Sequence, residues 1–260
     1  MATGEIAEAQ ASLHSAAAHP GGVCVLTGAG MSAESGIPTF RDALTGLWAH
    51  FDPAQLASEE GFRADPQRVW DWYAERREGV LRAQPNAGHH ALAAFALQHP
   101  GALVLVTQNV DDLHQRAGNL DAVRLHGDIL EDRWLEAGAC ASRCVARPGR
   151  PPACRACGNL MRPGVVWFGE MLPEAAIRAA QQAAQSCRVL LVVGTSGAVW
   201  PAAGLAQLAR RSGARVIMVN PAASEIDDQA HTVLRGTAAQ LLPVLLGAPG
   251  GRADPPIDLR

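Results

Sequence analysis

Four short apolar runs along the chain predict the strands of a buried sheet. Each run is five or six residues long, nearly uniformly aliphatic, and bounded by Gly, Pro or polar residues. Such runs are too short for helices and are typical of strands that are covered on both faces. The runs are Val23–Thr27, Leu103–Thr107, Val189–Val193 and 215–220.

Helical patterns separate these runs. They cover Pro66–Arg82, Ala87–Gln98, 173–186 and 202–211. Strands that alternate with helices predict the α/β fold class, with a doubly wound parallel sheet of Rossmann-like type.

Two segments have neither the strand nor the helix period. Residues 136–162 carry four cysteines among glycines and prolines, which favours a small insert, and residues 40–65 favour a flexible loop over a site. We therefore predict one catalytic unit over 1–260, with a flexible tail at 248–260. Its large part spans about 15–135 and 163–247. Its small module spans about 136–162, together with a helical and loop segment at about 40–85.

Composition narrows the classes of function. The 260 residues are 48% hydrophobic and carry a net charge of −3, which excludes global disorder and argues against a chain-wide nucleic-acid surface. No apolar run reaches the 18 or so residues of a membrane span. The start, MATGEIAEAQ, has glutamates where a signal peptide needs a basic and apolar stretch. We expect a cytoplasmic protein without membrane or nucleic-acid partners.

A glycine pair follows the first apolar run. Gly28 and Gly30 come directly after a predicted strand, in a position where bare backbone N–H groups can face a diphosphate. Ala33 replaces the third glycine of the dehydrogenase fingerprint, and no second strand with a ribose-binding acid follows. A dinucleotide is plausible, hydride transfer is poorly supported, and a simple strand-to-helix turn stays open.

Polar side chains follow the second apolar run. Gln108, Asn109 and Asp111 would stand at the carboxyl edge of a parallel sheet, where such sheets bind ligands. They could equally cap a following helix.

Two cysteine pairs in the aperiodic segment predict a metal centre. Cys140 and Cys144 are followed after nine residues by Cys154 and Cys157. Four thiolates at this spacing in a reducing compartment predict one structural Zn²⁺ rather than disulfides. Cys24 and Cys187 fall within apolar sequence and are expected to be buried small residues.

Six ordered motifs together resemble one family. GAGMSAESGIPTFRD at 28–42 resembles the NAD-binding signature of the sirtuins, the NAD-dependent protein deacylases. TQNVD at 107–111, LHG at 125–127, VVWFGE at 165–170, GTS at 194–196 and VN at 219–220 resemble later blocks of the same family. The resemblance implies that NAD is a co-substrate and that acylated lysine residues of proteins are the substrates.

The resemblance also implies a role for individual residues. His126 is the general base and Asn109 is the second catalytic residue, and the products are free lysine, nicotinamide and an O-acyl-ADP-ribose. The implied NAD contacts are Gly28, Ala29, Gly30, Ser32, Ala33, Thr39, Phe40, Arg41, Trp48, Gln108, Asn109, Asp111, Gly194, Thr195, Ser196, Asn220 and Ala238.

The acyl group is suggested by one helical spacing. Tyr73, the only tyrosine, and Arg76 lie three residues apart, hence on one helix face, and resemble the Tyr-x-x-Arg pair of class III sirtuins. An arginine there can pair with the carboxylate of a succinyl or malonyl group. Ala57 matches the small residue that widens that class's acyl pocket. By resemblance the peptide would pair with an extended edge formed by Val166, Trp167, Phe168 and Gly169.

Three other functions remain open from the sequence. A plain deacetylase would not need Tyr73 and Arg76, and an ADP-ribosyltransferase on the same fold would not need them either. A silent NAD or ADP-ribose sensor would be favoured if His126 or Asn109 were replaced, yet both are present.

Overall fold

The computed structural model of the protein describes residues 3–38, 52–140 and 143–247. Four implied NAD contacts therefore lie outside the described residues, namely Thr39, Phe40, Arg41 and Trp48. The predicted tail at 248–260 and the first part of the predicted loop at 40–65 also lie outside them.

The described residues form the following elements in chain order. They are α1 (Thr3–Ala16), β1 (Val23–Thr27), α2 (Pro53–Leu56), α3 (Glu59–Ala64), α4 (Pro66–Arg82), α5 (Ala87–Gln98), β2 (Leu103–Thr107), α6 (Leu113–Arg116), β3 (Val123–Arg124), β4 (Gly127–Trp134), β5 (Ala146–Arg147), β6 (Ala153–Cys154), β7 (Met161–Val165), α7 (Glu174–Ser186), β8 (Val189–Val193), α8 (Gly204–Arg211), β9 (Arg215–Val219), β10 (Thr232–Leu234) and α9 (Ala238–Leu246).

The main sheet confirms the doubly wound parallel architecture. Its order in the described residues is β10-β9-β8-β1-β2-β3, and every neighbouring pair is parallel. All four predicted runs are strands, although the last one ends at Val219 instead of Asn220. β3 and β10 were not predicted, because runs of two and three residues carry too little periodicity to stand out.

The predicted helices are present, with small shifts at their starts. α4 begins at Pro66, where Asp65 accepts a hydrogen bond from the Arg68 backbone N–H at 3.1 Å and caps the helix. α7 begins at Glu174 and α8 at Gly204, one and two residues later than the pattern suggested.

Each face of the sheet has its own hydrophobic core. Successive residues of one strand, such as Val25 and Leu26 of β1, enter opposite cores because their side chains point to opposite faces of the sheet. One core contains residues of α1, α5 and α9, and the other contains residues of α7 and α8. α1 was not predicted, and its residues Ala9, Leu13 and Ala16 belong to the first of these cores.

A smaller lobe stands beside the main sheet. β4 and β7 pair antiparallel, and β5 and β6 form a second antiparallel pair within the predicted insert. A third core joins α2, α3 and α4 to β4 and β7. The Arg150–Asp71 ion pair, with N···O at 2.8 Å, ties the insert to α4. In this lobe, α2 and α3 occupy most of 53–64, where the sequence showed no helical period.

Within the described residues, none of the helices combines the length and the apolar character that crossing a membrane requires.

Candidate functional site

The strand order creates a crevice at the carboxyl edge of the sheet. β1 lies between β8 on one side and β2 on the other, so the chain leaves β1 at the point where the strand order reverses. Parallel sheets bind ligands at such switch points. The predicted residues that follow β1, β2, β8 and β9 all stand at this edge.

Glycines allow the loops after β1 and β8 to touch. A Cβ atom on Gly30 would lie 2.7 Å from Gly194 Cα, and one on Gly28 would lie 2.8 Å from Gly194 O. Gly194 itself has φ +60°, a conformation that side chains disfavour. The Gly30 N–H donates to Gly194 O at 2.8 Å. A bulkier residue at any of these three positions would push the two loops apart.

Thr195, which follows β8, contacts polar side chains that follow two other strands of the sheet. Gln108 Nε2, after β2, donates to Thr195 Oγ1 at 3.2 Å, and Asn220 Nδ2, after β9, donates to Thr195 O at 3.0 Å. Thr195 and Asn220 are buried, whereas the adjacent Ser196 is exposed. The structure thus brings together residues that lie more than 100 positions apart, and their amides and hydroxyls suit a ribose or a phosphate.

A second polar cluster is centred on Ser32. Its side chain is 1% exposed, and its Oγ accepts a hydrogen bond from Asn109 Nδ2 at 3.1 Å. Burial raises the pKa of Asp111, while hydrogen bonds from the Leu113 backbone N–H and the Ser32 hydroxyl oppose that rise. Ser32, Asn109 and Asp111 therefore form one buried unit.

His126 is oriented by a backbone carbonyl. Its Nδ1 lies 2.8 Å from Gln108 O, and since a carbonyl only accepts, Nδ1 carries the proton in the neutral ring. Nε2 is then left with a lone pair. Burial lowers the pKa of His126, and the Gln108 hydrogen bond partly opposes this effect. A neutral imidazole with a fixed tautomer can take up a proton at neutral pH.

Two buried histidines lie behind this site, and the sequence analysis missed them. The rings of His89 and His114 are 4.8 Å apart. His89 Nε2 lies 3.5 Å from Ser32 Oγ, and His114 Nε2 lies 3.1 Å from Thr27 Oγ1. Nothing in their sequence surroundings distinguishes them from the seven other histidines.

This histidine pair predicts a loss of stability in acid. Burial lowers the pKa of His89 to about 4 and that of His114 to about 3. Both rings are therefore neutral when folded but protonate below about 6.5 when unfolded. Stability should be complete well above pH 6.5, and the pair should together remove about 3 kcal/mol of unfolding free energy as the pH falls from 6.5 to 5. Denaturant titrations at each pH measure this slope.

Variants separate this effect from other titrations. His114→Gln should reduce the slope by about half, since His89 remains, whereas His19→Gln, at an exposed position, should keep the full slope. A wild-type slope in His114→Gln would show that His114 does not cause the acid sensitivity.

Tyr73 and Arg76 share one face of α4, as the spacing predicts. Tyr73 is buried, and its hydroxyl oxygen accepts a hydrogen bond from Trp167 Nε1 at 3.0 Å. The Arg76 guanidinium carbon lies 4.6 Å from the Trp72 ring centroid and 5.5 Å from that of Tyr73. Burial lowers the pKa of Arg76, while Tyr73 and Asp111 oppose that effect through their charges. This arrangement presents a partly desolvated cation beside a phenol.

The predicted peptide edge is only partly strand-like. β7 ends at Val165, and the Phe168 N–H donates to Ala57 O at 2.8 Å, so Ala57 lies directly beside this segment. The N–H groups of Val166 and Trp167 donate to His126 O and to Glu170 Oε2, both at 2.8 Å. The Trp167 carbonyl also accepts the Glu170 N–H at 3.1 Å, so several backbone groups of this segment are already engaged within the chain.

The remaining predicted NAD contacts lie around the first loop. Ala29 and Ala33 begin two short 3₁₀ turns after β1. Ala238 starts α9, and the neighbouring Ala239 N–H donates to Glu34 Oε2 at 2.9 Å, which ties α9 to that loop.

The four predicted zinc ligands come together. Their sulfur atoms all lie within 4.8 Å of one another, and Cys140 Sγ is 3.4 Å from Cys154 Sγ. Four sulfurs around a Zn²⁺ ion with Zn–S of about 2.3 Å would be about 3.8 Å apart. Backbone N–H groups of Cys157 and Ala156 lower the pKa of Cys154 to about 6. The cluster therefore fits a tetrahedral zinc site. The two other cysteines, Cys24 and Cys187, are buried as predicted.

Known proteins resemble this chain over most of its length. A family model described as the Sir2 family matches residues 28–201. An "NAD-dependent protein deacylase" of Ralstonia nicotianae is 55% identical over 224 residues, covering 86% of this chain and 90% of that protein. A protein of Methylococcus capsulatus with the same name is 52% identical over 237 residues, covering 87% and 91%.

Solved structures extend the likeness to the fold. The crystal structure of a Sir2 homolog–NAD complex superposes with a TM-score of 0.76 at 41% identity, covering 86% of this chain and 87% of that one. Sir2Tm bound to a propionylated peptide gives a TM-score of 0.70 at 30% identity, covering 85% and 90%. Since family model, sequence relatives and solved structures agree, the chain belongs to the Sir2 family.

Proposed function

We propose that this Sir2-family enzyme, an NAD-dependent protein deacylase, removes succinyl and malonyl groups from lysine side chains and acetyl groups more weakly. The observation that carries the acyl preference is the half-buried Arg76 guanidinium beside the Tyr73 ring. A desolvated cation gains more from a carboxylate than a hydrated one does, because the low local dielectric strengthens the pair.

The crevice at the carboxyl edge is the proposed NAD site. The glycine contacts of Gly28, Gly30 and Gly194 bring backbone groups of two loops to the switch point, and Gln108 and Asn220 add amides there. NAD would supply the electrophilic ribose carbon and the hydroxyl that receives the acyl group, with nicotinamide, free lysine and O-acyl-ADP-ribose as products.

His126 and Asn109 are the proposed catalytic residues. His126 Nε2 accepts the proton of the attacking hydroxyl, since Nδ1 is engaged with Gln108 O. The Asn109 amide donates a hydrogen bond to Ser32 Oγ, so Asn109 belongs to the buried unit that also contains Asp111. Further proposed NAD contacts in the described part of the chain are Ala29, Ala33, Ser196 and Ala238.

The cysteine cluster is proposed to hold one structural Zn²⁺. Four sulfur ligands would fill a tetrahedral coordination shell and leave no open position for a reacting group. Zinc therefore has a structural part and no chemical part in this proposal. A cytoplasmic location stays a prediction from the sequence.

Replacement of Arg76 tests the acyl preference. Wild type should favour a succinyl-lysine peptide over the matched acetyl-lysine peptide. Arg76→Met should reduce the succinyl-to-acetyl ratio of kcat/KM about 10- to 100-fold, because it removes a charge-assisted hydrogen-bond donor to the carboxylate. Initial rates of nicotinamide release from both peptides, with NAD saturating, give the two values.

Arg82→Met is the matched control, since Arg82 is an exposed arginine in the last turn of the same helix. It should keep the wild-type ratio. A wild type that prefers acetyl-lysine, with an Arg76→Met ratio unchanged, would identify a plain deacetylase.

A further inference from the structure

We propose that Trp167 is a specificity-determining positioning residue, because its indole N–H fixes the Tyr73 hydroxyl as a hydrogen-bond donor toward the acyl carboxylate. This inference rests on the proposed removal of negatively charged acyl groups. It assigns to Trp167 a side-chain role, distinct from the backbone pairing with the peptide that the sequence suggested for this residue.

The direction of the Trp167–Tyr73 hydrogen bond is fixed by chemistry. An indole Nε1 is only a donor, so the Tyr73 oxygen must accept at the observed 3.0 Å. The hydroxyl proton is then directed away from the indole. Among the described residues, no acceptor for that proton is found within hydrogen-bond distance, although Tyr73 is only 2% exposed. A buried hydroxyl proton of this kind favours an incoming acceptor.

The phenol keeps that proton at neutral pH. Burial raises the pKa of Tyr73, and the nearby charge of Arg76 opposes the rise without reversing it. Tyr73 and Arg76 therefore both offer donors, and a carboxylate offers only acceptors. An acetyl group ends in a methyl group at the corresponding place and gains nothing from either donor.

Trp167 is itself held in place by an ion pair whose arginine is buried. The Arg162 guanidinium carbon lies 3.2 Å from the Trp167 ring centroid, and Arg162 is 1% exposed. Arg162 also pairs with Glu170, whose Oε2 accepts the Trp167 backbone N–H at 2.8 Å. The indole thus has little freedom to turn its N–H away from Tyr73, which lies 94 residues earlier in the chain.

A double-mutant cycle tests the proposal. Trp167→Phe removes the N–H donor but keeps an aromatic ring, and Tyr73→Phe removes the hydroxyl. We expect each single variant to lower the succinyl-to-acetyl ratio of kcat/KM about fivefold, mainly through the KM of the succinyl peptide. We expect the double variant to match Tyr73→Phe alone, since Trp167 acts through the hydroxyl.

Phe62→Leu is the matched control. The Phe62 ring lies 5.3 Å from that of Trp167, so this change disturbs packing but leaves the N–H in place. It should keep the wild-type ratio. Loss of packing alone should lower kcat/KM for the succinyl and the acetyl peptide by the same factor, so that their ratio stays unchanged.

Three results would overturn the inference. The first is an unchanged succinyl-to-acetyl ratio in Trp167→Phe. The second is an unchanged ratio in Tyr73→Phe, a variant that keeps Trp167. The third is a double variant whose loss equals the product of the two single losses. Each is distinct from failure of the proposed function, which would appear as a wild type that prefers acetyl-lysine.

Discussion

Replacement of His126 by alanine should lower kcat for deacylation about 100- to 10,000-fold, because the variant loses the imidazole that we propose as acceptor of the hydroxyl proton. The hydrogen bond between Nδ1 and Gln108 O leaves Nε2 as the accepting nitrogen. The protein should still fold, since His126 is only partly buried and removal of its side chain opens no sealed cavity. Single-turnover assays with an acylated peptide, together with thermal unfolding, measure both effects.

The pH profile of the wild type gives an independent check on His126. Burial lowers the pKa of this imidazole, so the acid limb of kcat/KM should lie below the ordinary value of about 6.5. His90→Ala, at an exposed position on α5, is the control and should keep both the rate and the limb. Full activity in His126→Ala would exclude this residue as the base.

Loss of the cysteine cluster should have the largest effect on stability. Structural zinc sites in small domains contribute about 10–16 kcal/mol of apparent binding free energy. We expect Cys154→Ser, which removes one sulfur ligand, to abolish the one zinc per chain and to lower the melting temperature by more than about 10 °C. Deacylation should fall as well, because the insert connects β4 to β7, and β7 leads into 166–170.

The control for this change is Cys187→Ala. Cys187 is buried but lies outside the cluster, so its variant should retain one zinc per chain. Mass spectrometry measures the zinc content of each variant, and calorimetry measures its melting temperature. A purified wild type that contains no zinc and melts as a single cooperative unit would contradict the proposed metal site.

The sequence predicted those elements whose signal is local. β1, β2 and β8 carry uniform aliphatic runs, and α4 starts with a proline behind a capping aspartate. α9 was missed because Pro243 interrupts its apolar pattern. The glycine pair and the cysteines were found because each has a recognisable spacing, whereas His126 was identified only through the resemblance of LHG at 125–127 to a family motif.

The contacts around the proposed acyl pocket have no local sequence signal. The Trp167–Tyr73 hydrogen bond and the burial of Arg162 depend on how β7 packs against α4. The sequence around Tyr73, Arg162 and Trp167 does not indicate that packing. His89 and His114 meet for a similar reason, since α5 and α6 approach each other only in the folded chain.

The packing of α1 against α9 has a consequence for the order of folding. Gln10 Nε2 donates to Gly247 O at 3.0 Å, and Leu241, Leu242, Leu245 and Leu246 enter the same core as Leu13. During synthesis, α1 leaves the ribosome more than 200 residues before this surface exists. The core on this face of the sheet therefore stays incomplete until residue 246 has been made, and contacts of such long sequence separation form slowly. A ribosome that stalls before α9 would leave the part of this core that α9 fills exposed to chaperones.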